Sequence, residues 1–228
     1  IMLPTIMTIA LNSNLVPAVS EALANDNQDK IRNQAQEAVR LTFYFGLLAV
    51  VILSLVPYQI CDLIFNYPEA GEILRVLALT AVFLYLAHIF SSILQGLGRP
   101  TTVVRNSIIA LVVELLIIQG VIYIPPPLAV ITICSAIGLR FLITAGLNYC
   151  AINCRVKLKL PFYHLFIKPL IAGGIVVLTL PRINQFLYTQ SNIRSVSLLT
   201  AMSISSLLYI VALIIMKGIT KKDLAKLT

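Results

Sequence analysis

The chain has 228 residues, 59% of them hydrophobic and only 11% charged, with a formal net charge of +8 and a mean hydropathy of +0.94. A soluble domain carries about 25% charged residues, so this chain has too few polar side chains to cover a surface in water. Lipid removes that need, since lipid-facing side chains are apolar. The composition excludes a soluble globular domain and predicts an integral membrane protein.

The apolar runs are continuous and about 20 residues long, the length of a spanning helix, and they lack the alternation of barrel strands. The expected fold class is therefore all-α, a polytopic membrane bundle. In chain order, Ile1 to Leu11 is apolar but half the required length. It has neither a basic start nor a cleavage site, and it is expected to be the end of a helix of which the rest is missing. Leu15 to Thr42 follows as a polar connector. Its acidic residues Glu21, Asp26 and Asp29 and the apolar stripe Ile31, Ala35, Ala38 and Val39 predict a short helix lying on the cytoplasmic face.

Six complete runs come next: Ala38 to Val56, Ile73 to Leu94, Val103 to Ile124, Leu128 to Ile152, Phe162 to Leu180 and Val196 to Met216. Breakers separate them. Pro57 closes the first, Pro125, Pro126 and Pro127 make a corner before the fourth, and Pro161 and Pro181 bracket the fifth. Proline lacks an N–H and disfavours helix in the residue before it. Between the second and third runs stands "ILQGLGRP", Ile93 to Pro100. There Gly96 and Gly98 supply backbone freedom, Arg99 anchors the turn, and Pro100 stops the helix.

Basic residues set the orientation. One set of loops holds Lys30, Arg32, Arg40, Arg99, Arg105, Arg155, Lys157, Lys159 and Lys168, and the tail adds Lys217, Lys221, Lys222 and Lys226. The alternate set holds only Arg182, Arg194 and, at its edge, Arg75. This bias predicts a cytoplasmic C-terminus. It also makes anionic lipid headgroups the partner of the net positive charge. Basic residues scattered over separate loops argue against nucleic acid.

The "ILQGLGRP" turn and "LVPAVSEALANDNQDKIRNQAQEAVRLT", Leu15 to Thr42, occur in register and resemble the polysaccharide and lipid-linked oligosaccharide flippases, close to the stage V sporulation protein B branch. In that family a helix ends in a turn like "LVPAISEA" and a cytoplasmic amphipathic helix follows. The resemblance covers nearly the whole chain. It implies a protein of fourteen helices, of which this chain supplies the end of helix eight and helices nine to fourteen. Residues 1–160 would form the C-terminal lobe, and residues 161–228 two additional helices with a cytoplasmic tail, the pair making a groove for a lipid tail. It further implies a bacterial plasma-membrane protein that exports an undecaprenyl-linked sugar precursor by alternating access, with a missing N-terminal half as its other lobe.

Ionisable groups at membrane depth are costly and mark functional sites. Glu114 and Arg140 lie near the middle of the third and fourth runs, which the proline corner makes antiparallel neighbours, so an ion pair is geometrically possible. A helix lock and a substrate or coupling role both fit such a pair. Arg140, Thr144 and Asn148 recur every four residues on one face, and Tyr85, His88, Ser92 and Gln95 share another. Two polar stripes suit a water-filled cavity or interhelical hydrogen bonds. Gly173 and Gly174 in the fifth run, and Ser203, Ser205 and Ser206 in the sixth, predict close helix packing.

The four cysteines, Cys61, Cys134, Cys150 and Cys154, and the two histidines, His88 and His164, have no metal-ligand spacing. The thiols are expected to be free, with no metal or cofactor. The nine acidic residues are dispersed and no phosphate-cradling loop occurs, which argues against an enzyme. A cation-coupled drug exporter of the same superfamily and a non-transporting membrane scaffold are the alternative readings.

Overall fold

The computed structural model describes residues 2–158, 165, 167–191 and 194–216. Eight α-helices follow one another: α1 (Met2–Ala24), α2 (Gln28–Leu55), α3 (Pro57–Phe65), α4 (Gly71–Gly96), α5 (Pro100–Gly120), α6 (Pro126–Val156), α7 (Lys168–Ser191) and α8 (Arg194–Ile215). Short 3-10 turns precede α4 and follow α5. Among the described residues there is no strand, and α2, α4, α5, α6, α7 and α8 are long and apolar enough to cross a membrane. These are the six complete helices the sequence predicts, and the protein is a multi-pass membrane protein. Leu115 and Leu116 on α5 and Leu178 on α7 are exposed, as side chains in contact with hydrocarbon should be. His164, Lys159 and the tail lysines Lys217, Lys221, Lys222 and Lys226 lie outside the described residues.

The polar connector differs from the sequence reading. Between residues 15 and 42 there is no separate surface helix. α1 runs through Pro17 to Ala24, and α2 begins at Gln28 and continues unbroken into the first apolar run. Ile31, Ala35 and Val39 are fully buried on α2, so the apolar stripe packs into protein. The break is a three-residue turn. Asp26 adopts the left-handed conformation at φ 49°, which Asp tolerates better than most residues. Asn27 caps α2, its Oδ1 accepting the Lys30 N–H at 2.9 Å. Across the turn, Lys30 Nζ meets Glu21 Oε1 at 2.8 Å. Lys30 holds the exposed Glu21 carboxyl below its ordinary range, first by that hydrogen bond and then by its charge.

The prolines also differ from expectation. Pro17 and Pro181 lie inside α1 and α7, so Pro181 does not end the fifth run. One missing N–H in a long apolar helix removes one bond, and membrane bundles tolerate this. Pro57, Pro100 and Pro126 each start a helix, where the absent N–H is not needed. Pro57 opens α3, a nine-residue helix that the sequence reading leaves as loop. It buries Ile60 and Cys61 and exposes Ile64 and Phe65.

The chain divides into two compact units, Ile1–Gly46 with Ile73–Leu160, and Leu47–Glu72 with Pro161–Thr228. In the first unit three turns meet at one end. Ser20 Oγ donates to the Gly96 carbonyl at 3.0 Å. Arg32 donates from Nε and Nη2 to the Val156 carbonyl at 3.4 and 3.3 Å. That carbonyl is at the last turn of α6, where helix carbonyls have no internal partner. In the second unit α7 packs against α8. Buried Ala172, Val176 and Leu180 line α7, and Ala201, Ser205, Tyr209 and Leu213 line α8, each at four-residue steps. Gly173 meets α2: a Cβ there would stand 3.2 Å from Leu47 Cδ2. Gly174 faces open space. Ser203 and Ser206 bond to carbonyls of their own helix, so the expected close packing falls to Gly173 and Ser205.

Candidate functional site

α5 and α6 pack side by side and are antiparallel, because only a 3-10 turn and the proline corner join them. α5 buries Asn106, Ala110 and Glu114 at steps of four. α6 presents Arg140, Thr144 and Asn148 at the same steps. Antiparallel packing in this register makes a ladder, with Asn106 across from Asn148 and Glu114 across from Arg140. Both outer rungs are formed. Asn106 Nδ2 donates to Asn148 Oδ1 at 2.9 Å, and Arg140 Nε stands 3.2 Å from Glu114 Oε2.

The Asn rung extends into a third helix. Asn148 Nδ2 donates to Ser91 Oγ on α4 at 3.0 Å, and Ser91 Oγ donates to the Ala87 carbonyl at 2.7 Å. Asn148 is fully buried and Asn106 nearly so. Both amides are therefore removed from water and satisfied by a neighbour, while Ser91 is half-buried. The Glu114–Arg140 rung is less enclosed on one side. The Glu114 side chain is 8% exposed and that of Arg140 32%. The buried Arg140 Nε makes no aligned hydrogen bond among the described residues, so the contact is chiefly electrostatic. The guanidinium carbon also lies 4.5 Å from the centroid of the Phe141 ring, a cation–π contact. Glu114 sits about 21 Å along α5 from Pro100 and Asn106 about 9 Å, at 1.5 Å per residue.

Thr144, between the rungs, bonds back to the Arg140 carbonyl at 2.9 Å. The α4 stripe divides. Tyr85 is 1% exposed and lies against Gly46, where a Cβ would come 2.6 Å from its ring. Its hydroxyl is buried with no partner among the described residues. Ser92 is buried and bonds the His88 carbonyl at 3.1 Å, while His88 and Gln95 are exposed. The structure thus brings Glu114, Arg140 and Asn148 into one seam with Asn106 and Ser91. It leaves His88 and Gln95 outside that seam. Asn106 and Ser91 are absent from the sequence reading. Their signal was the four-residue spacing of Asn106, Ala110 and Glu114, which mirrors that of Arg140, Thr144 and Asn148.

The Gly–Arg–Pro turn caps the same unit. Gly98 has φ +71°, which glycine adopts without strain. Gly96 is ordinary helix, and its role is close approach: a Cβ there would come 2.8 Å from Val19 Cβ on α1. Arg99 is the N-cap of α5, without a side-chain cap bond, and Pro100 is the first helical residue.

A family described as "Lipid II flippase MurJ" matches residues 1–211. The chain belongs to that flippase family. "Stage V sporulation protein B" of Bacillus subtilis (strain 168) is 21% identical over 230 residues, which is 99% of this chain and 43% of that relative. The chain therefore spans less than half the length of the curated relative it matches. In this member of the MurJ flippase family the ladder is a polar seam within an apolar bundle. All four cysteines are free, Cys61 and Cys134 buried and Cys150 and Cys154 exposed. Among the described residues no three His, Cys, Asp or Glu side chains are grouped to hold a metal ion.

Proposed function

We propose that the protein to which this chain belongs is a flippase that carries a lipid-linked sugar precursor, an undecaprenyl-linked oligosaccharide or peptidoglycan precursor, across the bacterial plasma membrane by alternating access. Residues 1–160 act as one lobe and 161–228 as two additional helices, with the C-terminus in the cytoplasm and a second lobe supplied by the remainder of the protein. The observation that carries this reading is the Glu114–Arg140 pair at 3.2 Å, held deep in a span of a chain whose family is that of lipid II flippases. Buried ionisable pairs are costly in hydrocarbon and persist where a pathway needs them. Arg140 is the cationic partner for an anionic pyrophosphate, and its partly exposed side chain leaves it able to exchange Glu114 for substrate. Asn106, Asn148 and Ser91 hold α4, α5 and α6 together while the lobe moves.

The test is translocation of an undecaprenyl-pyrophosphate-linked saccharide into vesicles containing the full-length protein. Wild-type protein should move the lipid. Arg140→Gln combined with Glu114→Gln should fold and fail to move it. Full activity in that double variant would sink the assigned role. Export of cationic drugs without movement of the sugar lipid would point to the drug-exporter chemistry of the wider superfamily.

A further inference from the structure

The second unit contains a cavity of about 520 Å³, within the size range of sites for small ligands. Its walls are the end of α2, the helix α3, the part of α7 beyond Pro181 and the first turn of α8. All four belong to the same compact unit. None of the seam residues lines it. Its chemistry departs from the apolar helices around it. Gln59 and Asp62 come from α3, Asn184, Gln185 and Tyr188 from α7, and Ser195 from α8. Leu55 and Leu198 contribute apolar surface. Pro181 marks the change along α7, from the apolar run Ile171 to Leu180 to the polar run that faces the cavity.

The donor set selects a ligand class. Carboxamides from Gln59, Asn184 and Gln185 each offer both donors and an acceptor, and the Ser195 hydroxyl does the same. Such groups match ligands that carry hydroxyl and amide groups of their own. Among the described lining residues there is no Lys or Arg, and the Asp62 carboxylate repels an anion. A phosphate is therefore disfavoured. A hydrocarbon tail is disfavoured too, because it would strip water from the neutral polar side chains of the lining without replacing their hydrogen bonds. The aromatic face of Tyr188 and the leucines suit the apolar faces of sugar rings.

We infer that this cavity is a saccharide site for neutral sugars bearing hydroxyl and acetamido groups, distinct from the charged seam in the first unit. It rests on the proposed flippase reading for the source of the sugar, the headgroup of the lipid-linked precursor.

The test uses full-length protein in lipid nanodiscs, with N,N′-diacetylchitobiose as probe and maltose and inorganic pyrophosphate as comparators, read by saturation-transfer NMR and titration calorimetry. Gln59 and Gln185 are exposed, so Gln59→Leu with Gln185→Leu should leave the melting temperature in place. Wild-type protein should bind diacetylchitobiose better than maltose. The double variant should bind it about tenfold more weakly, as expected for two neutral hydrogen bonds lost. Three results would overturn the inference: no binding of the disaccharide, equal binding in the double variant, or stronger binding of pyrophosphate at this cavity. Lost disaccharide binding with intact lipid flipping removes this site and spares the flippase reading. Retained disaccharide binding with no flipping does the reverse.

Discussion

Replacing Arg140 by Gln should destabilise the protein more than replacing Glu114 by Gln. At 3.2 Å the attraction of unit charges is about 5 kcal/mol at an effective dielectric constant of about 20, before desolvation is subtracted. Stranding one member of a fully buried pair costs about 3–5 kcal/mol. Arg140→Gln strands Glu114, whose side chain is 8% exposed, so a loss of about 3 kcal/mol is expected. Glu114→Gln strands Arg140, which is 32% exposed and keeps the Phe141 ring beneath it. Water and the ring compensate it in part, and the loss should be about 1–2 kcal/mol. The double variant strands neither charge. It should sit at least about 1 kcal/mol above the sum of the single losses, the mark of residues in contact. Thermal and denaturant unfolding of the four genotypes in detergent measures this. Losses that add to within about 0.5 kcal/mol, or a larger loss for Glu114→Gln, would refute the reasoning.

Asn148→Leu leaves the buried Asn106 amide without its acceptor, so about 1–3 kcal/mol of stability should go, and adding Asn106→Leu should return part of it in the same unfolding assay. Gly96→Val drives a side chain against Val19 and should cost about 1–3 kcal/mol, whereas Gly98→Val is strained at φ +71° by about 1–2 kcal/mol. Arg99→Lys should fall within about 0.5 kcal/mol of wild type, and equal melting points for all three would remove the distinction. The Glu21 carboxyl, lowered by Lys30, contributes stability present above its unfolded pKa and lost as pH falls through its lower folded value. An NMR titration should place its midpoint below that of an ordinary glutamate, and Lys30→Ala should raise it; no change would disprove the pairing in solution. Thr228→Cys, a position outside the described residues, should resist an impermeant thiol reagent added to intact cells, and strong labelling would invert the topology.

The six spans were legible because hydrocarbon imposes one simple demand, about 20 apolar residues in helix. Depth and antiparallel order likewise made a Glu114–Arg140 pair possible on sequence grounds, and the structure sets the two 3.2 Å apart. What escaped the reading has a common cause. Pro181 reads as a stop, yet it sits inside α7, whose apolar packing outweighs one lost bond. The first span reads from Ala38 on hydropathy, yet α2 already begins at Gln28. There Asp29, Lys30 and Asn33 are exposed while Ile31, Ala35 and Val39 are buried. Asn106 was passed over because a single amide in a span is unremarkable until the facing helix shows its partner. α3 was missed because nine residues give too short a pattern to separate a helix from a loop.

The division of the chain into units carries a practical consequence for dissecting it. One unit comprises Leu47–Glu72 and Pro161–Thr228, and the boundary between Gly46 and Leu47 falls in the middle of the helix Gln28–Leu55. No loop marks that seam in the gene. A fragment beginning at residue 161 would lack α3 and the last turns of α2, and with them two walls of the polar cavity. Graft and chimera boundaries chosen at loops would split this unit, whereas a swap that moves residues 47–72 together with the C-terminal helices would transplant it whole.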